Sequence, residues 1–329
     1  LQPRNESYRQ LFLAGRLGSA KILTGMAGPL PSGVGSARQL ARKMGTGTVE
    51  GVLEMSLDDG HMGAAIGAAE MLGESGTGEL LIGPAGRRAA LVRAVNHANR
   101  RLSFTALETI IRLKPTEAFP GSSLIAESLG FYAATLGERR AIIADARMDT
   151  GAILAGMLAQ LGYEAEVVTD GRRFIERATR NGDVELLLIQ TAIDRFPTRE
   201  LLYRVRRDPR IGRLPIGLIS RPDGYGRAQG LAKGDSLTLA FARPDELTAM
   251  QGLVNRLIGL ASRDFVPPAE RRGNALKALG WLTELSVQPD SFYDIRRQIS
   301  QVDAALYIPE LAHEAVVALA QAAHPSSQR

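Results

Sequence analysis

The sequence predicts a multidomain protein in which all-α helical repeats accompany an α/β, doubly wound, five-stranded parallel sheet. Three observations lead there. A pattern of paired amphipathic helices near residue 57 recurs near residue 95, an offset of 38 residues. From Arg139 to about Leu260 the texture changes to short apolar runs alternating with amphipathic segments, the signature of a parallel sheet with crossover helices. And 329 residues, 45% of them hydrophobic, are chain enough for about two domains with cores of their own.

Composition narrows the function classes. Without a single cysteine, thiol catalysis, disulfides, iron–sulfur clusters and Cys-based zinc sites are excluded. The apolar runs fall short of the ~20 residues a spanning helix needs, so no membrane span and a cytoplasmic setting are expected. Of 40 basic residues only Lys21, Lys43, Lys114, Lys233 and Lys277 are lysine, and the net charge is a mild +5. Nucleic acid is therefore disfavoured as a partner unless the arginines cluster. With Leu1 in place of an initiator Met, the chain reads as a fragment or a processed product.

The elements follow in order. Residues 1–48 are an N-terminal helical region, with helices expected over Tyr8–Leu17 and Ala37–Met44 around a Gly/Pro-rich loop from Gly25 to Gly35. Residues 49–136 hold the repeats. Aligning Leu57-Asp58-Asp59-Gly60-His61 with Val95-Asn96-His97-Ala98-Asn99 sets Ala68-Ala69-Glu70-Met71-Leu72 opposite Ala106-Leu107-Glu108-Thr109-Ile110. Each unit is a helical hairpin: Val49–Leu57 with Met62–Leu72, then Ala90–Val95 with Leu102–Leu113, apolar at i, i+3 and i+4. This arrangement resembles HEAT repeats, which stack into solenoids. In the C-terminal HEAT-like region, 268–329, helices are expected over Asn274–Leu282, Ile295–Leu306 and Leu311–Ala320, and the array is expected to extend past both ends of the chain.

Between them, 138–262 predicts strands Ala141–Ala144, Glu164–Val168, Glu185–Ile189, Leu214–Ile219 and Leu237–Phe241. The intervening helices are Thr150–Leu161, Gly171–Arg180, Thr198–Arg207, a weak one near Gly226–Ala232, and Asp245–Leu260. Five strands alternating with five helices suggest a flavodoxin-like domain, whose site lies at the C-terminal strand ends.

Several stretches of this domain are quotable: Ala141-Ile142-Ile143-Ala144-Asp145-Ala146-Arg147, Leu161-Gly162-Tyr163-Glu164-Ala165, Thr169-Asp170-Gly171, Glu185-Leu186-Leu187-Leu188-Ile189-Gln190, Leu214-Pro215-Ile216-Gly217-Leu218-Ile219-Ser220 and Ala242-Arg243-Pro244. Over the whole region they resemble the receiver domain of bacterial response regulators. The resemblance implies an acidic pair after strand one, a phospho-accepting Asp ending strand three, a Ser/Thr ending strand four and a Lys before Pro after strand five. The carboxylates would hold Mg²⁺ while the Lys and hydroxyl contact the phosphoryl group.

This chain departs from that pattern. The acceptor position is Gln190, an amide and no comparable nucleophile; the acidic pair is reduced to Asp145 beside Ala146; the Lys is Arg243; only Ser220 is kept. The reading is a pseudo-receiver with no metal, no cofactor and no catalytic residue. Asp145 is expected to pair with Arg243 and hold the site in one state, and the alternative is a phosphate-bearing ligand on Arg243 and Ser220. Asp194, a loop carboxylate near this site, is expected to be a solvated turn residue.

Other signals are weaker. Gly73-Glu74-Ser75-Gly76-Thr77-Gly78-Glu79-Leu80 nearly matches a phosphate-binding loop but lacks its Lys and its preceding strand, and reads as an inter-repeat loop. His61, His97, His313 and His324 have no zinc-ligand spacing. Arginines cluster once: Arg199, Arg204, Arg206, Arg207, Arg210 and Arg213 form a basic stripe that reads as solvated surface or an interaction patch. The function expected is a non-enzymatic interaction or signalling-regulatory protein with protein partners. The alternatives are a receiver switched by a phosphoryl group or small ligand in two-component signalling, and a nucleic-acid-associated regulator using the 199–213 stripe.

Overall fold

In the computed structural model, residues 2–84, 87–191, 197–288, 291–299 and 302–323 are described. The helices in chain order are α1 (Gln2–Leu23), α2 (Ala37–Met44), α3 (Thr46–Asp59), α4 (Met62–Ser75), α5 (Ala90–Val95), α6 (Arg100–Leu113), α7 (Ser122–Ala133), α8 (Met148–Gln160), α9 (Gly171–Ala178), α10 (Thr198–Arg207), α11 (Tyr225–Ala232), α12 (Leu247–Leu260), α13 (Pro268–Ser286), α14 (Arg296–Ile299) and α15 (Pro309–Ala323). The strands are β1 (Arg140–Ala144), β2 (Glu164–Val168), β3 (Val184–Gln190), β4 (Ile216–Ser220) and β5 (Thr238–Ala242). The chain divides into two compact units: Leu1–Gly130 with Lys277–Asp303 and His313–Arg329, and Phe131–Leu276 with Ala304–Ala312.

The first unit is helical and centres on α4. Its sequence, rich in Ala and Gly, is buried at Ala64, Ala65, Ile66, Ala68, Ala69, Met71 and Leu72, so α1, α3 and α6 all pack against it. A Cβ on Gly67 would sit 3.1 Å from the Leu17 Cβ, so the small residue is what allows α1 to approach. α3 pairs with α4 and α5 with α6. The second helix of each hairpin has 14 residues, and the two begin 38 residues apart, at Met62 and Arg100. Their first helices are unequal, 14 residues against six. Asn99 caps α6, its side chain accepting from Leu102 N at 3.0 Å. The Thr109 hydroxyl donates to Ala69 O at 2.8 Å, joining α6 to α4.

Three helical expectations are corrected. α1 runs past Tyr8–Leu17 in both directions, because Leu13, Leu17, Ala20 and the stem of Lys21 form one continuous buried face. The single helix expected over Ile295–Leu306 is absent among the described residues: α14 is one turn, and a 3₁₀ turn covers Asp303–Tyr307. The buried Ile299, Val302 and Ala305 stand three residues apart, closer than the 3.6-residue repeat of an α-helix, and of them only Ala305 lies in the 3₁₀ turn. α7 was not foreseen.

The second unit contains the sheet, all parallel, in the order β2-β1-β3-β4-β5, the flavodoxin-like doubly wound order. Alternation along the strands divides its core in two. Ile142, Ala144, Leu187, Ile189, Ile216 and Leu218 face Phe174 of α9, Leu201 and Val205 of α10 and Ala228 of α11. Ala141, Ile143, Leu186, Leu188 and Ile219 face Leu154 and Leu158 of α8 and Met250, Leu253 and Leu257 of α12. β3, central and covered on both faces, is therefore apolar at nearly every position.

Boundaries shift where chemistry requires it. β4 begins at Ile216, not Leu214, since Pro215 has no N–H for the ladder and contributes only its carbonyl, which accepts from Leu187 N at 3.0 Å. α12 starts at Leu247, leaving Pro244 in the loop, because Arg243 N still pairs with Ser220 O at 3.0 Å. Gly162, at φ 80°, closes α8 in a conformation that side chains disfavour.

Candidate functional site

Four positions singled out from sequence meet at the C-terminal edge of the sheet. Asp145 follows β1, Gln190 ends β3, Ser220 ends β4 and Arg243 follows β5. Asp145 is fully buried. Its Oδ2 accepts from the Thr150 hydroxyl at 2.9 Å and from Arg243 Nη1 at 3.1 Å, and its Oδ1 accepts from Arg147 N at 3.1 Å. Arg243 also donates from Nη2 to the Thr150 carbonyl at 2.5 Å. The guanidinium thus bridges the acid and the first turn of α8. A lysine would bring a mobile point charge to this place; the planar fork of arginine holds two acceptors at once.

Gly151 completes the arrangement: a Cβ there would collide with the Val167 side chain and lie 3.4 Å from that of Asp145, so only glycine lets α8 seat this closely. Ser220 is buried, and its hydroxyl has no hydrogen-bond partner among the described residues. Gln190 is half-buried. Asp194 lies outside the described residues.

A hard divalent cation needs several oxygen donors, usually two or more carboxylates. Among the described residues one carboxylate is present here, already accepting three hydrogen bonds, one of them from a cation; Ala146 has no side-chain donor atom and Gln190 offers an amide. These residues do not fit Mg²⁺. Among the described residues no group of three or more His, Asp or Glu side chains is placed to hold a metal.

The arginine stripe is spent inside its own unit. Arg206 is not solvated surface: Nε meets Asp235 Oδ2 at 2.7 Å, Nη1 donates to Gly212 O and Leu214 O at 3.0 and 2.8 Å, and Nη2 donates to the Thr238 hydroxyl at 2.9 Å. Burial pushes the Arg206 guanidinium below its ordinary value, opposed by Asp235. Arg204 pairs with Glu200, Arg210 with Asp208 and Arg213 with Asp264, at 2.7, 2.8 and 2.6 Å. Arg207 lies 4.7 Å over the Tyr203 ring, and Arg199 is exposed. Four of six charges meet an acid, leaving little free field for phosphates.

Two ionic clusters, one buried and one half-buried, escaped the sequence reading. At the opposite, N-terminal end of β3, Arg271 joins Glu185 at 2.8 Å and Asp183 at 3.7 Å, all three buried. Asp183 also accepts from the N–H groups of Leu136 and Gly137 at 2.7 and 2.8 Å; burial nevertheless raises its pKa. In the first unit Lys21 and Arg38 share Glu70, at 3.2 and 2.9 Å. The acids before the apolar run Leu186–Ile189 were a legible hint; their partner, 86 residues on, was not. The glycine-rich stretch from Gly73 starts inside α4, with no strand before it. His61 and His97 lie in turns, His313 lies in α15, and His324 is outside the described residues.

No family model matches the sequence, and no curated protein matches it either. Among solved structures, the chemotaxis response regulator CheY4 of Vibrio cholerae is similar. The match covers 36% of this chain and 98% of that one, at 15% identity and a TM-score of 0.31. No helix among the described residues is long and apolar enough to cross a membrane.

Proposed function

We propose that this chain is a non-enzymatic, partner-binding regulatory protein: a receiver-type α/β domain that has lost phosphoryl transfer, combined with HEAT-like hairpins in 49–136 and the helices of 268–323 that offer surface to protein partners. The observation that carries the reading is the state of Asp145. Its carboxylate is taken up by Arg243, Thr150 and the Arg147 N–H, while the neighbouring acceptor position is an amide. Aspartyl phosphorylation needs a free carboxylate nucleophile and a cation to neutralise the developing charge; among the described residues this edge of the sheet has no free carboxylate and no side-chain set suited to hold that cation. What remains is a pinned edge with one shape, suited to constant docking.

The test is titration of the isotope-labelled full chain with beryllofluoride and Mg²⁺. The amide resonances of Gln190, Ser220 and Arg243 are expected not to move at millimolar ligand. Saturable shifts confined to those residues would return the domain to the switchable receivers.

A further inference from the structure

Helix α1 has two apolar faces. Leu13, Leu17 and Ala20 are buried within its own unit, while Tyr8, Leu11, Phe12, Ile22 and Leu23 are exposed by 72, 57, 58, 70 and 85%. At 3.6 residues per turn, positions 8, 11, 12, 15, 19, 22 and 23 share a sector about 120° wide, as broad as a core-facing stripe. The cations at its border are turned aside: Arg16 donates to Gly35 O at 3.1 Å, and Arg9 to Glu6 at 3.3 Å and Met44 O at 3.2 Å. From Tyr8 to Leu23 the stripe itself carries no charge.

Its residues are ordered by size. Bulky Tyr8, Leu11 and Phe12 come first, small Gly15 and Ser19 lie in the middle, and Ile22 and Leu23 close it. A second α1 running the opposite way, with Gly15 facing Gly15, sets Leu11 and Phe12 over Ser19 and Tyr8 against Ile22. A parallel copy would instead stack Phe12 on Phe12 and leave a gap at Gly15 and Ser19. The five large side chains expose on the order of 700 Å² per copy, close to the roughly 800 Å² per partner of a stable interface. We infer that α1 is an isologous dimer contact whose occupant is a second copy of this chain, antiparallel and crossing at Gly15.

Outside α1's own backbone, no described residue lies within 4 Å of a Cβ built on Gly15, so Gly15→Trp leaves the fold intact while blocking the crossing. Sedimentation velocity of the full chain from 1 to 100 μM is expected to show a mass rising towards twice 35.3 kDa. Gly15→Trp is expected to raise the dissociation constant at least tenfold with an unchanged far-UV dichroism spectrum. Because the chain has no cysteine, Gly15→Cys introduces a lone thiol that should oxidise readily to a linked dimer, whereas Leu23→Cys should not. A monomer at 100 μM, a dimer indifferent to Gly15→Trp, or equal cross-linking at both positions would each overturn the inference.

Discussion

Removing Arg243 should cost more than removing the acid it serves. Asp145 is fully buried, while a quarter of the Arg243 side chain reaches solvent. Taking one partner from a buried pair costs ~3–5 kcal/mol, mostly because the other charge stays desolvated and uncompensated. In Arg243→Ala the stranded charge is the inaccessible one, but it keeps the Thr150 hydroxyl and the Arg147 N–H, which places the loss at about 2–3 kcal/mol. In Asp145→Asn the stranded charge can turn to water, and the loss falls to about 1 kcal/mol. The double variant should lose less than the sum, by about 1.5 kcal/mol. Hydrogen exchange in peptides covering β1 and β3 reads this directly: about 30- to 150-fold faster exchange in Arg243→Ala, and about fivefold in Asp145→Asn. Strictly additive losses, or an Arg243→Ala variant exchanging like the parent, would refute the pinning of the site by this pair.

Glu138 makes stability depend on pH. Burial, then the adjacent Glu164 carboxyl, pushes its pKa up to about 7. A folded value above the unfolded one means the contribution is complete below an ordinary glutamate pKa and is lost as pH rises through about 7. Its side chain is 37% exposed, so solvent screens the effect to a few tenths of a kcal/mol. Urea midpoints between pH 4.5 and 8 should show this decline, and Glu138→Gln should flatten it; an identical slope in the variant would remove Glu138 as its source. Within the arginine stripe, Arg206→Met should cost about 2–4 kcal/mol by stripping the donor from the Gly212 and Leu214 carbonyls and the cation from Asp235, which keeps only Thr238 and the Leu237 N–H. The Arg199→Ala/Arg207→Ala variant should stay within about 0.5 kcal/mol. Thermal denaturation that ranks the two alike would contradict their division into internal and surface arginines.

How much was legible depended on how local the cause was. β2 and α10 match their expected spans residue for residue, because a short run of strand-forming residues after a glycine turn and an amphipathic helix begun after Pro197 are properties of a few consecutive residues. Where the expected span overran, at Leu214–Ile219, the missed signal was a proline written in the sequence. The helix expected over Ile295–Leu306 failed for a subtler reason: buried spacings of three and of 3.6 are hard to tell apart over one or two turns. Thr150 was invisible, since nothing in its neighbourhood shows that its hydroxyl turns back to Asp145.

The amino-acid order alone decides which side chains stand at the strand ends: no fold turns the Gln190 amide into a carboxylate or gives Ala146 a side-chain ligand. It also decides the alternation of strand and helix, which local periodicity sets. The tertiary structure decides where each charge is used. Arg243 and Arg206 look alike as letters, yet one meets an acid 98 residues away and the other an acid 29 residues away, and both give up solvent to do so. Ion pairing depends on distance and burial in space, and only the folded chain sets those.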